Sequence, residues 1–145
     1  MYLLDTNVVS ELRKVGHRID ERVSDWSHSV EPAQLFLSSV TVLEIEIGVL
    51  QMERRDPRQG KRLRHWMDTA VMTAFAGRII PFGHDIALRA AQLHVPNPRP
   101  TQDSIIAATA LIHRMTVVTR NVADFAPMGV ALLNPWEAPE PFGSG

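Results

Sequence analysis

The sequence predicts a three-layer α/β domain, with helices covering both faces of a mainly parallel sheet. Three observations carry this reading. Five short apolar runs have strand length, helical patterns separate most of them, and 145 residues suffice for one compact core.

The apolar runs are Tyr2-Leu3-Leu4, Leu35-Phe36-Leu37, Arg78-Ile79-Ile80, Thr116-Val117-Val118 and Val130-Ala131-Leu132-Leu133. Each is too short for a helix and lacks sustained polar alternation, as expected of strands buried on both faces. Between them, Asn7 to Arg13 gives a short helix, and Asp20 to His28 carries Val23 and Trp26 at i, i+3. Thr41 to Arg54 places Val42, Ile45 and Val49 on one face. Pro57 suits a first helical position, and Leu63, Trp66, Met67 and Val71 continue that helix. Asp85 to His94 carries Ile86, Ala90 and Leu93, and Thr101 to His113 carries Ile105, Ala108 and Leu111. Three prolines between Val95 and Pro100 forbid a helix there. The end, from Pro135, is rich in Pro and Gly. The expected organisation is therefore one domain over 1–136 and a flexible tail over 137–145.

Composition narrows the chemistry. Hydrophobic residues make up 45% and charged residues 21%, the balance of an ordinary globular protein. With no cysteine, disulfides, thiol nucleophiles and thiolate zinc sites are excluded, and a reducing cytoplasm fits. Asp5 arrives too early for a signal peptide, and no apolar run nears the roughly 20 residues of a spanning helix. The net charge of −1 means that any nucleic acid must be met by a local basic patch or by bound cations.

In an open parallel sheet, ligands bind beyond the carboxyl ends of the strands. The first strand is followed by Asp5-Thr6-Asn7. The second is followed by Ser38-Ser39-Val40-Thr41, with Glu44 one turn into the next helix. The fourth is followed by Thr119-Arg120-Asn121, with Asp124 close behind. The third is followed by apolar Pro81-Phe82, as on an outer strand. Asp103 opens the helix that feeds the fourth strand, but the crossover rule alone does not bring it to this edge. Carboxylates gathered in one cleft repel one another unless they take up protons or cations. Magnesium answers that need, since it prefers oxygen ligands, uses one or two carboxylates and keeps several waters. Such a site suits phosphodiester cleavage by an activated water.

Taken singly, the acids have plainer readings. Asp5 can end a strand and cap a helix. Thr41-Val42-Leu43-Glu44 fits a capping box, in which Glu44 reaches back to a backbone N–H. Asp103 favours the helix dipole beside Thr101, and Asp124 can steady a turn. Glu46 points elsewhere on its helix. The cations from Arg54 to Arg64 read first as a solvated helical face. The histidines lack metal-ligand spacing, and Trp26, Trp66 and Trp136 read as core or interface.

Together, the segments Leu3-Leu4-Asp5-Thr6-Asn7-Val8-Val9-Ser10, Leu37 to Gly48, Asp103 to Ala110, Thr116 to Phe125 and Leu133-Asn134-Pro135-Trp136 resemble the PIN-domain nucleases of the VapC/FitB toxin type. The resemblance spans nearly the whole chain. It implies strand order 3-2-1-4-5 and an endoribonuclease needing Mg²⁺ or Mn²⁺. It gives Asp5 and Asp103 metal-ligand roles and has Glu44 hold metal or a metal-bound water. The fourth acidic position varies between the sites of Asn121 and Asp124; here Asp124 carries the acid and Asn121 assists. Thr6, Asn7 and Thr119 orient the acids, and Arg120 sits at the cleft rim toward substrate. The resemblance also implies a homodimer and a small DNA-binding antitoxin as partner.

Other activities fit less well. A haloacid-dehalogenase-type phosphatase wants a second Asp two residues after the first, where Asn7 stands. A catalytically weak module acting through antitoxin binding does not need a full acid set. A metal-dependent DNA nuclease shares the acids, but the small size without DNA-clamping additions favours RNA. No P-loop, G-x-S-x-G or H-E-x-x-H motif is present.

Overall fold

The computed structural model describes residues 1–14 and 16–137. Five parallel strands, β1 (Tyr2–Leu4), β2 (Leu35–Ser38), β3 (Ile79–Ile80), β4 (Thr116–Val118) and β5 (Leu132–Leu133), form one sheet in the order β3-β2-β1-β4-β5. The helices are α1 (Thr6–Leu12), α2 (Glu21–Ser29), α3 (Ser39–Arg55), α4 (Pro57–Trp66), α5 (His84–Leu93), α6 (Thr101–His113) and the single turn α7 (Val122–Phe125).

The two faces of the sheet follow from side-chain alternation along its strands. Leu3 and Val117, paired in register, sit in a core with Ile86, Ile106, Ala107 and Phe125 from α5, α6 and α7. Their neighbours Leu4 and Val118 enter a second core with Val8, Val23, Ile45, Val49 and Trp136. α3 serves both, through Val40 on one side and Ile45 and Val49 on the other.

Two elements depart from the sequence expectation. The third strand starts at Ile79 rather than Arg78, whose carbonyl still accepts from Leu37 N at 3.0 Å and whose guanidinium donates to the carbonyls of Pro32, Leu35 and Ala74. The helix after Pro57 does not stay α-helical to Val71. From Met67 to Thr73 it widens into a π-helix, where Thr73 Oγ1 donates to Asp68 O at 2.7 Å, five residues back. Near the end of the described residues Pro135 and Trp136 are buried, and Trp136 N donates to Asn134 Oδ1 at 2.9 Å. The rest of the expected tail, residues 138–145, lies outside the described residues.

α3 and α4 form a tight antiparallel hairpin around Gly60. A β-carbon on Gly60 would stand 2.3 Å from Glu53 Cα, so no side chain fits there. Arg64 locks the hairpin, reaching Glu46 at 2.7 Å and Glu53 at 2.9 Å.

Candidate active site

The carboxyl ends of β1 and β4 meet side by side. Asp5 N still donates to Val118 O at 2.9 Å, which holds Asp5 against the strand end. Asp5 is buried and serves two structures at once. Its Oδ1 accepts from Thr6 N at 2.8 Å, capping α1. Its Oδ2 accepts from Thr119 Oγ1 at 2.8 Å and from Asn7 Nδ2 at 3.3 Å. Asn7 Oδ1 in turn accepts from Arg120 N at 3.2 Å, and Thr119 Oγ1 accepts from Asn121 N at 3.0 Å. Asp5, Asn7 and Thr119 thus form one polar cluster that spans two strands.

Glu44 reaches this edge because α3 begins earlier than a capping box at Thr41 requires. Ser38 closes β2 by pairing with Ile80, and its hydroxyl accepts from Val40 N at 3.1 Å. The cap is therefore Ser38 rather than Thr41. Thr41 is buried with an unpartnered hydroxyl, and Glu44 makes no capping hydrogen bond among the described residues. Asp103 arrives in the first turn of α6. That helix ends at His113 and reverses through Arg114 into β4, so its start lies over the carboxyl ends of the strands. His94 anchors this start: its Nε2 lies 2.8 Å from Ser104 Oγ, and its Nδ1 accepts from Arg99 N at 3.4 Å. Asp124 lies on α7, exposed at the rim.

Electrostatics tie the four acids into one group. Burial raises the Asp5 carboxyl above the usual aspartate range. Its three hydrogen-bond donors oppose the rise, and the charge of Asp124 adds to it. Burial also raises Glu44, with the nearby Thr6 hydroxyl opposing and the charges of Asp5 and Asp103 adding. Asp103 is raised by burial and by the charges of Asp5 and Asp124. The Thr6 hydroxyl is near enough to ease the ionisation of Glu44, yet it is buried and completes no hydrogen bond. Among the described residues, no group of three acidic or histidine side chains is gathered closely enough to hold a metal ion by itself. The donors present are oxygens, the chemistry of a hard cation held by few protein ligands and several waters.

The remaining expected residues fall as follows. Arg120 has its backbone at the cleft edge, but its guanidinium carbon stacks 5.0 Å over the Trp136 ring. Asn121 stands just before α7. Sequence reasoning missed the groove beside Glu44. There Thr6, Ser10 and Arg13 of the α1 region face Gly48, Leu63 and Trp66 across a cavity of about 180 Å³. The available signal was the helical spacing of Thr6, Ser10 and Arg13.

A five-stranded parallel sheet in this order, with acids converging on its carboxyl edge, defines a PIN domain. The PIN domain family matches residues 2–127, and the chain belongs to it. Toxin FitB of Neisseria gonorrhoeae is 35% identical over 141 residues, covering 94% of this chain and 99% of that protein. VapC ribonuclease Y4jK of Sinorhizobium fredii is 34% identical over 145 residues, covering 94% and 99%. The solved structure of FitAB bound to an IR36 DNA fragment superposes with a TM-score of 0.87 at 35% identity, covering 97% of this chain and 99% of that one. Within the family the chain groups with the VapC/FitB-type toxins. Among the described residues, no helix is long and apolar enough to cross a membrane.

Proposed function

We propose that this protein is the toxin of a type II toxin–antitoxin pair, acting in the cytoplasm as a magnesium-dependent endoribonuclease, with Mn²⁺ able to substitute. The observation that carries the reading is the gathering of Asp5, Glu44 and Asp103 beside Asp124 at one sheet edge, where burial first and neighbouring acid charges second raise all three carboxyls. Such an assembly weakens the fold unless charge is supplied to it. The oxygen donors and the unpartnered Thr6 hydroxyl fit a hydrated divalent cation.

Asp5 and Asp103 would hold the ion, with Glu44 bound to it or to one of its waters and Asp124 acting through water. When bound, the ion lowers the pKa of a water and offsets charge on the phosphate. Thr119 and Asn7 favour the ionised form of Asp5, against its burial, and fix its orientation through their hydrogen bonds. Glu44 and Asp124 flank the approach, where a carboxylate can orient a water or accept its proton. Asn121 lines the rim.

The relatives named FitB and VapC, and the FitAB complex on DNA, support a small DNA-binding antitoxin as partner. We also propose a homodimer. The exposed apolar row Leu43, Ile47 and Leu50, spaced i, i+4, i+7 along α3, is the surface a second copy would cover. Sedimentation that stays monomeric at every concentration would remove that assignment.

The central test incubates purified protein with RNA in Mg²⁺ and then in EDTA, beside an Asp5→Asn variant. Cleavage should need the metal and Asp5, and equal cleavage by the variant would sink the mechanism. A DNA substrate in parallel tests the DNA nuclease alternative.

A further inference from the structure

The outer face of α4 carries a row of cations that the acid cluster does not use. Arg58, Lys61, Arg62 and His65 project from one side of the helix and line a shallow depression of about 440 Å³. Their spacing of i, i+3, i+4 and i+7 puts them on one stripe, running about 10 Å along the helix axis. Arg64, though within the run, is absent from this face because Glu46 and Glu53 neutralise it. Among the described residues, Arg58, Lys61 and Arg62 make no ion pair. The same helix also contributes Leu63 and Trp66 to the groove beside Glu44. His65 directly precedes Trp66, and Trp66 lines the groove that holds Glu44 and Thr6.

We propose that this stripe is a docking track for the phosphate backbone of RNA, on the helix that also lends Leu63 and Trp66 to the groove, and separate from the acid cluster. The inference rests on RNA as the substrate of that cluster. The chemistry favours a polyanion over a protein partner. The exposed α4 residues are Pro57, Arg58, Gln59, Lys61, Arg62 and His65, with no aromatic or large aliphatic anchor among them. Protein interfaces are dominated by such anchors, whereas phosphate binding draws on charge alone. The track also eases the charge balance, since a chain of net charge −1 gains from a local basic surface beside any bound cation when it meets RNA.

The test compares wild-type protein with the Arg58→Gln/Lys61→Gln/Arg62→Gln variant, leaving Arg64 in place to keep the α3–α4 lock. Binding of a fluorescent 20-nucleotide single strand is followed across a salt series, and cleavage of that strand is compared with cleavage of a trinucleotide. The variant should bind the long strand on the order of tenfold more weakly, with a log–log salt slope shallower by about 2. Its trinucleotide cleavage should be unchanged. Unaltered affinity and salt slope for the long strand would overturn the track. So would loss of binding to an acidic peptide of matched charge with RNA binding intact. If the wild type binds RNA through these residues but cleaves neither substrate, the nuclease reading fails while the track stands.

Discussion

The tight approach of α3 and α4 at Gly60 yields a prediction whose sign is opposite to ordinary helix propensity. Gly60→Ala puts a methyl group 2.3 Å from Glu53 Cα, 2.7 Å from Glu53 N and 2.8 Å from Glu53 Cγ. Two of these atoms are backbone, so rotamer changes cannot relieve the contact. α4 must retreat by about 1 Å, with overpacking costing about 1–3 kcal/mol. The retreat also stretches the Arg64 pairs with Glu46 and Glu53, each contributing about 0.2–1 kcal/mol at this exposure. Alanine returns about 1 kcal/mol through helix propensity. The net is a loss of about 2 kcal/mol, lowering the melting midpoint by about 5–8 °C. Gly48→Ala is the control. It lies inside α3 with nothing within 4 Å of the added carbon, so it should gain up to about 1 kcal/mol. Calorimetry on both variants decides the matter. A Gly60→Ala protein that melts at or above wild type would refute the packing argument.

Further predictions follow from the acid cluster and from one backbone position. Asp5, Glu44 and Asp103 titrate above their unfolded values, so the folded chain keeps protons that the unfolded chain has already released. Their contribution to stability is therefore present in acid and lost as pH rises from about the ordinary values of 3.8 and 4.5 through the raised ones. Melting of metal-free protein from pH 4 to 7 should show this decline. Asp103→Asn should flatten it and reduce the stabilisation by added Mg²⁺, and an unchanged pH dependence would count against the coupling. Thr119→Val removes the 2.8 Å hydrogen bond to Asp5 and should move the acid limb of the pH–rate profile to higher pH, while a shift to lower pH would contradict it. Arg114 closes α6 at φ 56°, a left-handed conformation that costs a side-chain-bearing residue about 1–2 kcal/mol. Arg114→Gly should raise the unfolding free energy by about 1 kcal/mol in urea titration, and a drop would show that the arginine side chain matters more.

Much of the fold was legible because buried parallel strands write themselves as short apolar runs. Tyr2-Leu3-Leu4 and Thr116-Val117-Val118 have the same bounds in the sequence reading and the structure. What eluded the sequence depended on contacts from distant parts of the chain. Four consecutive residues, Ser38 to Thr41, include three hydroxyls able to cap α3. The choice falls to Ser38 because Ser38 still pairs with Ile80, a partner 42 positions away. Glu44 is then relieved of the capping role. Asp103 was beyond strand-end reasoning because it enters by a helix rather than from a strand. Arg120 was legible as a rim residue in its backbone alone, since its side chain is captured by Trp136. The cationic run read as uniform, and only the Glu46 and Glu53 carboxylates single out Arg64 from its neighbours.

The divided carboxylate of Asp5 has a practical consequence for anyone who needs an inert form of this chain. One oxygen holds the first turn of α1, and the other is clasped by Thr119 and Asn7. If Asp5 holds the ion as proposed, replacing it would disable the site and loosen the frame together, leaving a poor reference for partner binding. Asp103 has no such structural duty among the described hydrogen bonds. On the proposed reading, a chain changed at Asp103 should keep its architecture and be the better stand-in for capturing a bound antidote or an uncut strand.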